Sequence, residues 1–219
     1  MRYEERYFSN FKYCEREALI TSQAENVLRW ASKAARSNVL SGADKKALDV
    51  GCAFGFVSQV LSKLGYETYG VDISKFGLKQ ARTCATGVDY ALCDVQAGLP
   101  FKKNSFDLVV CFEVLEHLRD PLASLRNMFA CCCDLMIVTT PNRSVEKPIK
   151  SLMRDFDETH VSVMTPGEWE RLIKENLDAS FVKIESFVDA SLKTAAKLLW
   201  SKSFRVPYFG LNTRILVER

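Results

Sequence analysis

The chain has 219 residues, 47% of them hydrophobic and 26% charged, with a mean hydropathy of −0.07. That balance excludes a disordered or low-complexity chain, and at roughly 150 residues per domain it suits one folded domain carrying insertions. The net charge of +3, from 30 basic and 27 acidic residues, is too small to demand a nucleic-acid partner.

The charged first residues, Arg2, Glu4 and Glu5, lead into no apolar stretch, which reads as no secretory signal and hence as a cytoplasmic protein. The longest apolar run is the six residues Met128 to Cys133, far short of the roughly 20 that a membrane-spanning helix needs. From Lys46 onward, short apolar or β-branched runs alternate with segments of helical period, the pattern of a parallel sheet covered by helices on both faces. Strands are predicted near Ala47–Val50, Thr68–Val71, Tyr90–Leu92, Phe106–Phe112 and Leu135–Thr140, with Phe181–Phe187 and Arg214–Val217 closing a doubly wound, mainly parallel sheet of seven strands. Helices are predicted near Phe56–Lys63, Lys75–Thr83, Pro121–Phe129 and Pro166–Glu175, the last opened by Thr165 as N-cap and Pro166 at the first helical position. Residues 1–36, 142–164 and 189–212 stand outside the alternation and read as an N-terminal helical cap and two substrate covers on a single α/β domain.

In the last of these segments Val188, Leu192, Ala195, Ala196 and Leu199 recur at helical spacing, with Lys193 and Lys197 on the flank. Residues Leu192 to Arg205 carry +4 against −1 for the rest of the chain. One reading is a packed helix with a solvated basic edge. The other is a cover whose basic edge and Trp200 suit an anionic or amphipathic acceptor, or peripheral contact with an anionic membrane. The eight cysteines lie mostly in apolar stretches and form no C-x-x-C pair, so buried free thiols are expected and a structural metal is not.

The strongest chemical signal is Ala47-Leu48-Asp49-Val50-Gly51-Cys52-Ala53-Phe54-Gly55, a buried strand running into a glycine turn that opens a helix. Gly51 and Gly55 omit side chains where a ligand would pass, and the helix start offers N–H groups. The spacing D-x-G-x-x-x-G differs from the G-x-G-x-x-G that receives a dinucleotide pyrophosphate, and Asp49 would repel that group. Asp72, 17 residues beyond Gly55, ends the next strand where an acid accepts ribose hydroxyls. Asp94 ends a third strand, within reach of an adenine amino group.

These residues resemble the class I S-adenosylmethionine-dependent methyltransferases, in particular the small-molecule branch that includes quinone-biosynthesis methyltransferases. The resemblance runs from about Ala47 to Leu172. It rests on Asp49 to Gly55, Val71-Asp72-Ile73-Ser74, Cys93-Asp94-Val95 with Leu99-Pro100-Phe101, and Ser105 to Val110 leading to Glu113-Val114-Leu115-Glu116-His117-Leu118. Thr140-Pro141-Asn142-Arg143 and Asp157-Glu158-Thr159-His160-Val161 add to it. The resemblance implies a Rossmann-like methyltransferase fold and S-adenosylmethionine as cofactor. It places Asp49 and Gly51 near the methionine moiety, Asp72 on the ribose, Ile73 against adenine and Asp94 on the adenine amino group, with Cys52, Ala53, Gly55, Val95 and Phe112 completing the set. Many relatives carry a third glycine where this chain has Ala53, which implies a tighter turn around the cofactor.

Glu113, Glu116 and His117 fall at i, i+3 and i+4, so on a helix they share one face just past the fourth strand. His117 and His160 are the two histidines of the chain and the first candidates for a general base, with Glu113 beside them. The plainer alternative is a set of polar residues bonding neighbouring loops. One helical turn rarely supplies enough ligands for a metal, so none is expected. The implied reaction is methyl transfer to a small-molecule acceptor; an RNA or protein methyltransferase and a non-catalytic S-adenosylmethionine-binding module are the alternatives. The Cys111-Phe112-Glu113-Val114 run does not resemble the Asn/Asp-Pro-Pro-aromatic loop of enzymes that methylate base amino groups.

Overall fold

The computed structural model describes residues 3–146, 159–193, 198–207 and 209–219. Eight strands, β1 Lys46–Val50, β2 Glu67–Asp72, β3 Val88–Leu92, β4 Phe106–Phe112, β5 Cys132–Pro141, β6 Phe181–Lys193, β7 Leu198–Arg205 and β8 Asn212–Glu218, form one sheet in the order β3-β2-β1-β4-β5-β8-β6-β7. β1 to β5 pair in parallel, while β8 runs antiparallel to both β5 and β6, and β7 antiparallel to β6. Helices α1 Glu5–Asn10 and α2 Glu17–Ala34 precede the sheet, and α3 Phe56–Lys63, α4 Lys75–Cys84, α5 Pro121–Cys131 and α6 Pro166–Asn176 lie between its strands.

Because the central strands are covered on both faces, successive residues alternate between two cores. Leu48, Val50, Val109, Met136 and Val138 face one layer with Leu125 and Met128 of α5 and Trp169 and Ile173 of α6. Ala47, Leu108, Val110, Leu135 and Ile137 face the other with Val27, Leu28 and Ala31 of α2 and Val60 and Leu61 of α3. Each fully buried aliphatic side chain contributes about 1.5–3 kcal/mol of transfer free energy. The expected start of α6 is as read from the sequence: Thr165 and Glu168 make a capping box with Pro166 in the first turn. The chain enters the sheet at β1, builds outward to β3 and returns to β4, so the order reverses between β1 and β4. Open α/β sheets bind ligands at the carboxyl ends of the strands beside such a reversal.

The sheet has eight strands where seven are expected, because the segment read as a helix is a hairpin. Phe187 pairs with Arg205, Val188 with Phe204 and Ser191 with Ser201. Val188, Ala190 and Leu192 alternate with Asp189, Ser191 and Lys193, a strand period that edge pairing selected over the helix preference of the alanines and leucines. Residues 194–197 lie outside the described residues, as do the side chains of Lys193 and Trp200; the apolar helical stripe no longer supports an anionic or amphipathic acceptor. The cysteines also need correction: all are free, but Cys14, Cys84 and Cys133 are exposed, Cys93 is half-buried, and only Cys52, Cys111, Cys131 and Cys132 are buried. Among the described residues no helix is long and apolar enough to cross a membrane.

Candidate active site

At the carboxyl ends of β1, β2, β4 and β5 lies a cavity of about 710 Å³. The N-terminal segment roofs it: Tyr3, Tyr7, Phe8, Phe11 and Tyr13 all line it, and Tyr13 stacks on Phe56 with ring centroids 5.7 Å apart and meets Phe54 at 4.9 Å.

The floor begins where β1 enters the glycine turn. Gly51, Ala53 and Gly55 have φ of 77°, 46° and 77°, a left-handed succession that reverses the chain in the space between strand and α3. The Gly51 and Cys52 N–H groups both donate to the Val71 carbonyl, at 2.8 and 3.1 Å, which fastens the turn to β2. The glycines serve protein packing more directly than expected. A Cβ on Gly51 would lie 2.2 Å from Val114 Cγ2, and one on Gly55 would lie 2.3 Å from the Tyr90 hydroxyl. Ala53, by contrast, holds a conformation that costs an L-residue about 1–2 kcal/mol, with its side chain packed among Phe8, Phe54 and Phe56.

Asp49 is 2% exposed and accepts the Ser58 hydroxyl at 2.6 Å. Burial pushes its carboxyl up to about 7, with Asp72 adding to the shift and the Ser58 hydroxyl opposing it. Asp72 accepts the Ala53 N–H at 2.8 Å on one oxygen and the Ser74 N–H at 2.7 Å on the other. Each oxygen keeps a second lone pair, so this acid both braces the turn and retains acceptor capacity toward the cavity it lines. Ile73 is 41% exposed, an apolar surface opening onto the same space. Asp94 caps its own loop by accepting the Gln96 N–H at 2.9 Å and also lines the cavity. Cys52, Val95 and Phe112 line it too, whereas Gly55 does not.

On the opposite side the expected helical face of Glu113, Glu116 and His117 is absent. Glu113 has φ 56° and turns the chain out of β4, and only Leu115–His117 coil, as one 3-10 turn. A residue in the left-handed region cannot continue a right-handed helix, which separates Glu113 from the other two. Glu113 is open to the cavity but enclosed by protein, and that burial pushes its carboxyl up. Glu116 is fully buried and pushed well up by desolvation and by Glu113. One of its oxygens accepts the Thr140 hydroxyl at 3.3 Å, and the other has no hydrogen-bond partner among the described residues and lies 3.9 Å from His117 Nε2.

His117 Nδ1 meets the Thr159 hydroxyl at 2.7 Å, and His160 Nδ1 meets Glu146 Oε1 at 2.5 Å. The two imidazoles stand edge to face, 4.7 Å between centroids. Glu116, His117 and His160 each bring a ligand atom within 4.8 Å of the others, a set that could hold a cation. The loop carrying His160 is pinned because the Val161 and Ser162 N–H groups donate to the Glu116 carbonyl at 2.8 and 2.9 Å. Sequence reasoning missed Glu146, Thr159, Arg16 and Asp189. The first two act through side chains distant in sequence from those they touch; Arg16 and Asp189 line the cavity from segments without a motif.

The methyltransferase-domain family matches residues 48–133. A ubiquinone biosynthesis O-methyltransferase of Idiomarina loihiensis is 35% identical over 111 residues, covering 47% of this chain and 44% of that protein. Its counterpart in Hahella chejuensis is 28% identical over 152 residues, covering 64% of this chain and 61% of that one. The chain thus spans about half the length of the curated relatives it matches. Among solved structures, a SAM-dependent methyltransferase from Archaeoglobus fulgidus superposes with a TM-score of 0.70 at 18% identity, over 97% of this chain and all of that one. Magnesium protoporphyrin IX methyltransferase from Synechocystis with bound SAH gives 0.63 at 16% identity, over 94% and 87%. Residues 48–133 thus match the methyltransferase-domain family, and the chain as a whole shares its fold with these solved methyltransferases.

Proposed function

We propose that this protein binds S-adenosylmethionine over the glycine turn and transfers its methyl group to a small-molecule acceptor held beside the two histidines. The observation that carries this reading is the single cavity lined both by Asp49, Asp72, Ile73 and Asp94 and by Glu113, His117 and His160. The donor set suits the cofactor: Asp72 keeps lone pairs for the ribose hydroxyls, Ile73 offers an apolar face to the adenine, and Asp94 can accept from its amino group. When bound, S-adenosylmethionine supplies an electrophilic methyl group on its sulfonium.

The chain's own residues then have two tasks. The aromatic roof excludes water and orients the acceptor. His160 takes the acceptor's proton: with the Glu146 carboxylate accepting from Nδ1, the lone pair resides on Nε2, and the carboxylate stabilises the imidazolium that forms. His117, held by Thr159, orients the His160 ring against its edge. Such a base serves a hydroxyl or protonated amine acceptor and is dispensable for a phenolate or thiolate. The roofed cavity supports a small molecule over a nucleic acid, and the free cysteines support work in the reducing cytoplasm. Contact with a membrane surface keeps only the exposed Lys202, Phe204 and Arg205 of β7 as support.

The test is calorimetry with S-adenosylhomocysteine and NAD side by side, followed by a labelled-methyl screen of cell extract. Binding of the first alone and one labelled metabolite are expected; NAD binding would sink the reading, and cofactor binding without product would leave a binding module. The unpartnered Glu116 oxygen favours a second reading, in which Glu116, His117 and His160 hold a divalent cation that activates the acceptor. Turnover unchanged after exhaustive chelation supports the proton-transfer role, while loss restored by a divalent cation supports the second.

A further inference from the structure

The acceptor end of the cavity continues as a slot between α2 and the sheet. Ile20, Gln23, Ala24 and Val27 line it at i, i+3, i+4 and i+7, one face of that helix. The opposite wall is built from strand ends, Phe112 of β4 beside Thr139 of β5 and Asn212 of β8 beside Phe187 of β6. From β4 through β5 and β8 to β6 is three strand spacings, about 14 Å. Glu113 stands at the near end, one residue past Phe112, and Asp189 at the far end, two residues beyond Phe187 and so on the same face of β6.

Neither carboxylate forms an ion pair with a lysine or arginine of the described residues. Asp189 accepts the Ser203 hydroxyl, and Arg214 on the neighbouring β8 is engaged by Glu185 at 3.0 Å. The two arginines that line the cavity, Arg16 and Arg119, are both exposed. Glu116 points independently to a donor from outside: it is fully buried, it lines the cavity, and one of its oxygens has no hydrogen-bond partner among the described residues, a state that costs free energy until a donor arrives. Aromatic rings wall the near end, where Phe11, Tyr7, Tyr3 and His117 follow one another at centroid separations of 4.9, 5.1 and 5.9 Å. Carboxylates beside aromatic faces attract a cation and repel an anion.

We infer that the acceptor is an organic amine that enters as its ammonium ion, with the nitrogen against Glu113 and His160 and the apolar body along the slot toward Asp189. The inference rests on the methyl-transfer reading above and narrows it, since a neutral hydroxyl gains less from the unpaired carboxylates and a phenolate or thiolate is repelled by them. The ammonium gives one proton to His160 Nε2, and the nitrogen lone pair forms the new N–C bond. The electron pair of the broken S–C bond stays on sulfur, so S-adenosylhomocysteine and an N-methylammonium ion leave and His160 returns its proton to solvent.

The experiment uses three ligands of one shape, tryptamine, tryptophol and indolepropionate, which end in an ammonium, a hydroxyl and a carboxylate. Each is titrated by calorimetry into the wild type and into the double variant Glu113→Gln, Asp189→Asn, with S-adenosylhomocysteine saturating. The wild type should bind tryptamine about tenfold or more tightly over tryptophol, and indolepropionate least. The double variant should lose most of that preference while its affinity for S-adenosylhomocysteine stays, which also shows that the fold is kept. Equal affinity for the three ligands, tightest binding of indolepropionate, or an undiminished preference in the variant overturns the inference. A second measurement needs no chosen ligand: the labelled-methyl product of cell extract should be retained by a cation exchanger at neutral pH, with the label on nitrogen by mass fragmentation. A neutral or anionic product, or label on oxygen, overturns the inference while methyl transfer stands. Absence of any labelled product removes the transfer reading and this inference together.

Discussion

On the cofactor side of the cavity the geometry comes from residues 49–73 and is held largely by backbone: the Val71 carbonyl takes two N–H groups of the turn, and Asp72 takes two more. On the acceptor side it comes from Glu113, His117, Glu146, His160 and Asp189, and side chains hold side chains, Thr159 on His117 and Glu146 on His160. A backbone-held site tolerates change around it because its shape is set by the local chain. A site assembled from distant side chains can be retuned one residue at a time, which suits the half that must distinguish acceptors.

The sharpest way to separate the halves is His160→Gln. With a hydroxyl or amine acceptor, turnover should fall by about a hundredfold or more while S-adenosylhomocysteine affinity stays; a parallel loss of affinity would mean the halves are not independent. Asp72→Ala attacks the other side. It should weaken S-adenosylhomocysteine by about 1.5–3 kcal/mol and lower thermal stability as well, because the Ala53 and Ser74 N–H groups lose their acceptor. Affinity lost at constant Tm would show that the brace is energetically idle.

A third comparison uses pH. Asp49 is raised from 3.8 to about 7 in the fold, so the native state holds a proton that the unfolded chain releases. Its contribution to stability is therefore fully present below about pH 4 and is lost as pH rises toward 7. Asp72, Glu113, Glu116 and Asp189 shift the same way. Asp49→Asn keeps an acceptor for Ser58 and removes the titration, so its Tm should gain a few degrees over wild type at pH 8 and little at pH 4. An equal difference at both values would remove the burial argument. The smallest effect is expected from Ala53→Gly, which relieves a φ of 46° and should raise stability by about 0.5–1 kcal/mol; a loss would show that the alanine's packing among the aromatic rings outweighs its strain.

The parallel half of the sheet was legible because each strand there is a short apolar run closed by glycine, aspartate or a helix cap, and the turn motif is contiguous. The hairpin was misread because Leu192, Ala195, Ala196 and Leu199 satisfy a helical period while Val188, Ala190 and Leu192 satisfy a strand period, and only the pairing of β6 with β7 decides between them. Glu113 was misplaced for a related reason: spacing alone carries no sign of a left-handed residue at the end of β4. Glu146 as the partner of His160 and Thr159 as that of His117 could not be read locally, since each acts across a gap that only the fold closes.

The strand order has one more effect, on how the molecule comes to be made. β8 follows β6 and β7 in sequence but lies between β5 and β6, where Ile215, Leu216 and Val217 are fully buried and divided between the two cores. Until residues 212–218 are synthesised, β5 has an open edge and the β6–β7 hairpin has nothing to dock on, so the nascent chain exposes two adhesive strand edges. Assembly is thereby gated by β8, and for as long as the gate stays open both edges are exposed to pairing with other copies of the chain.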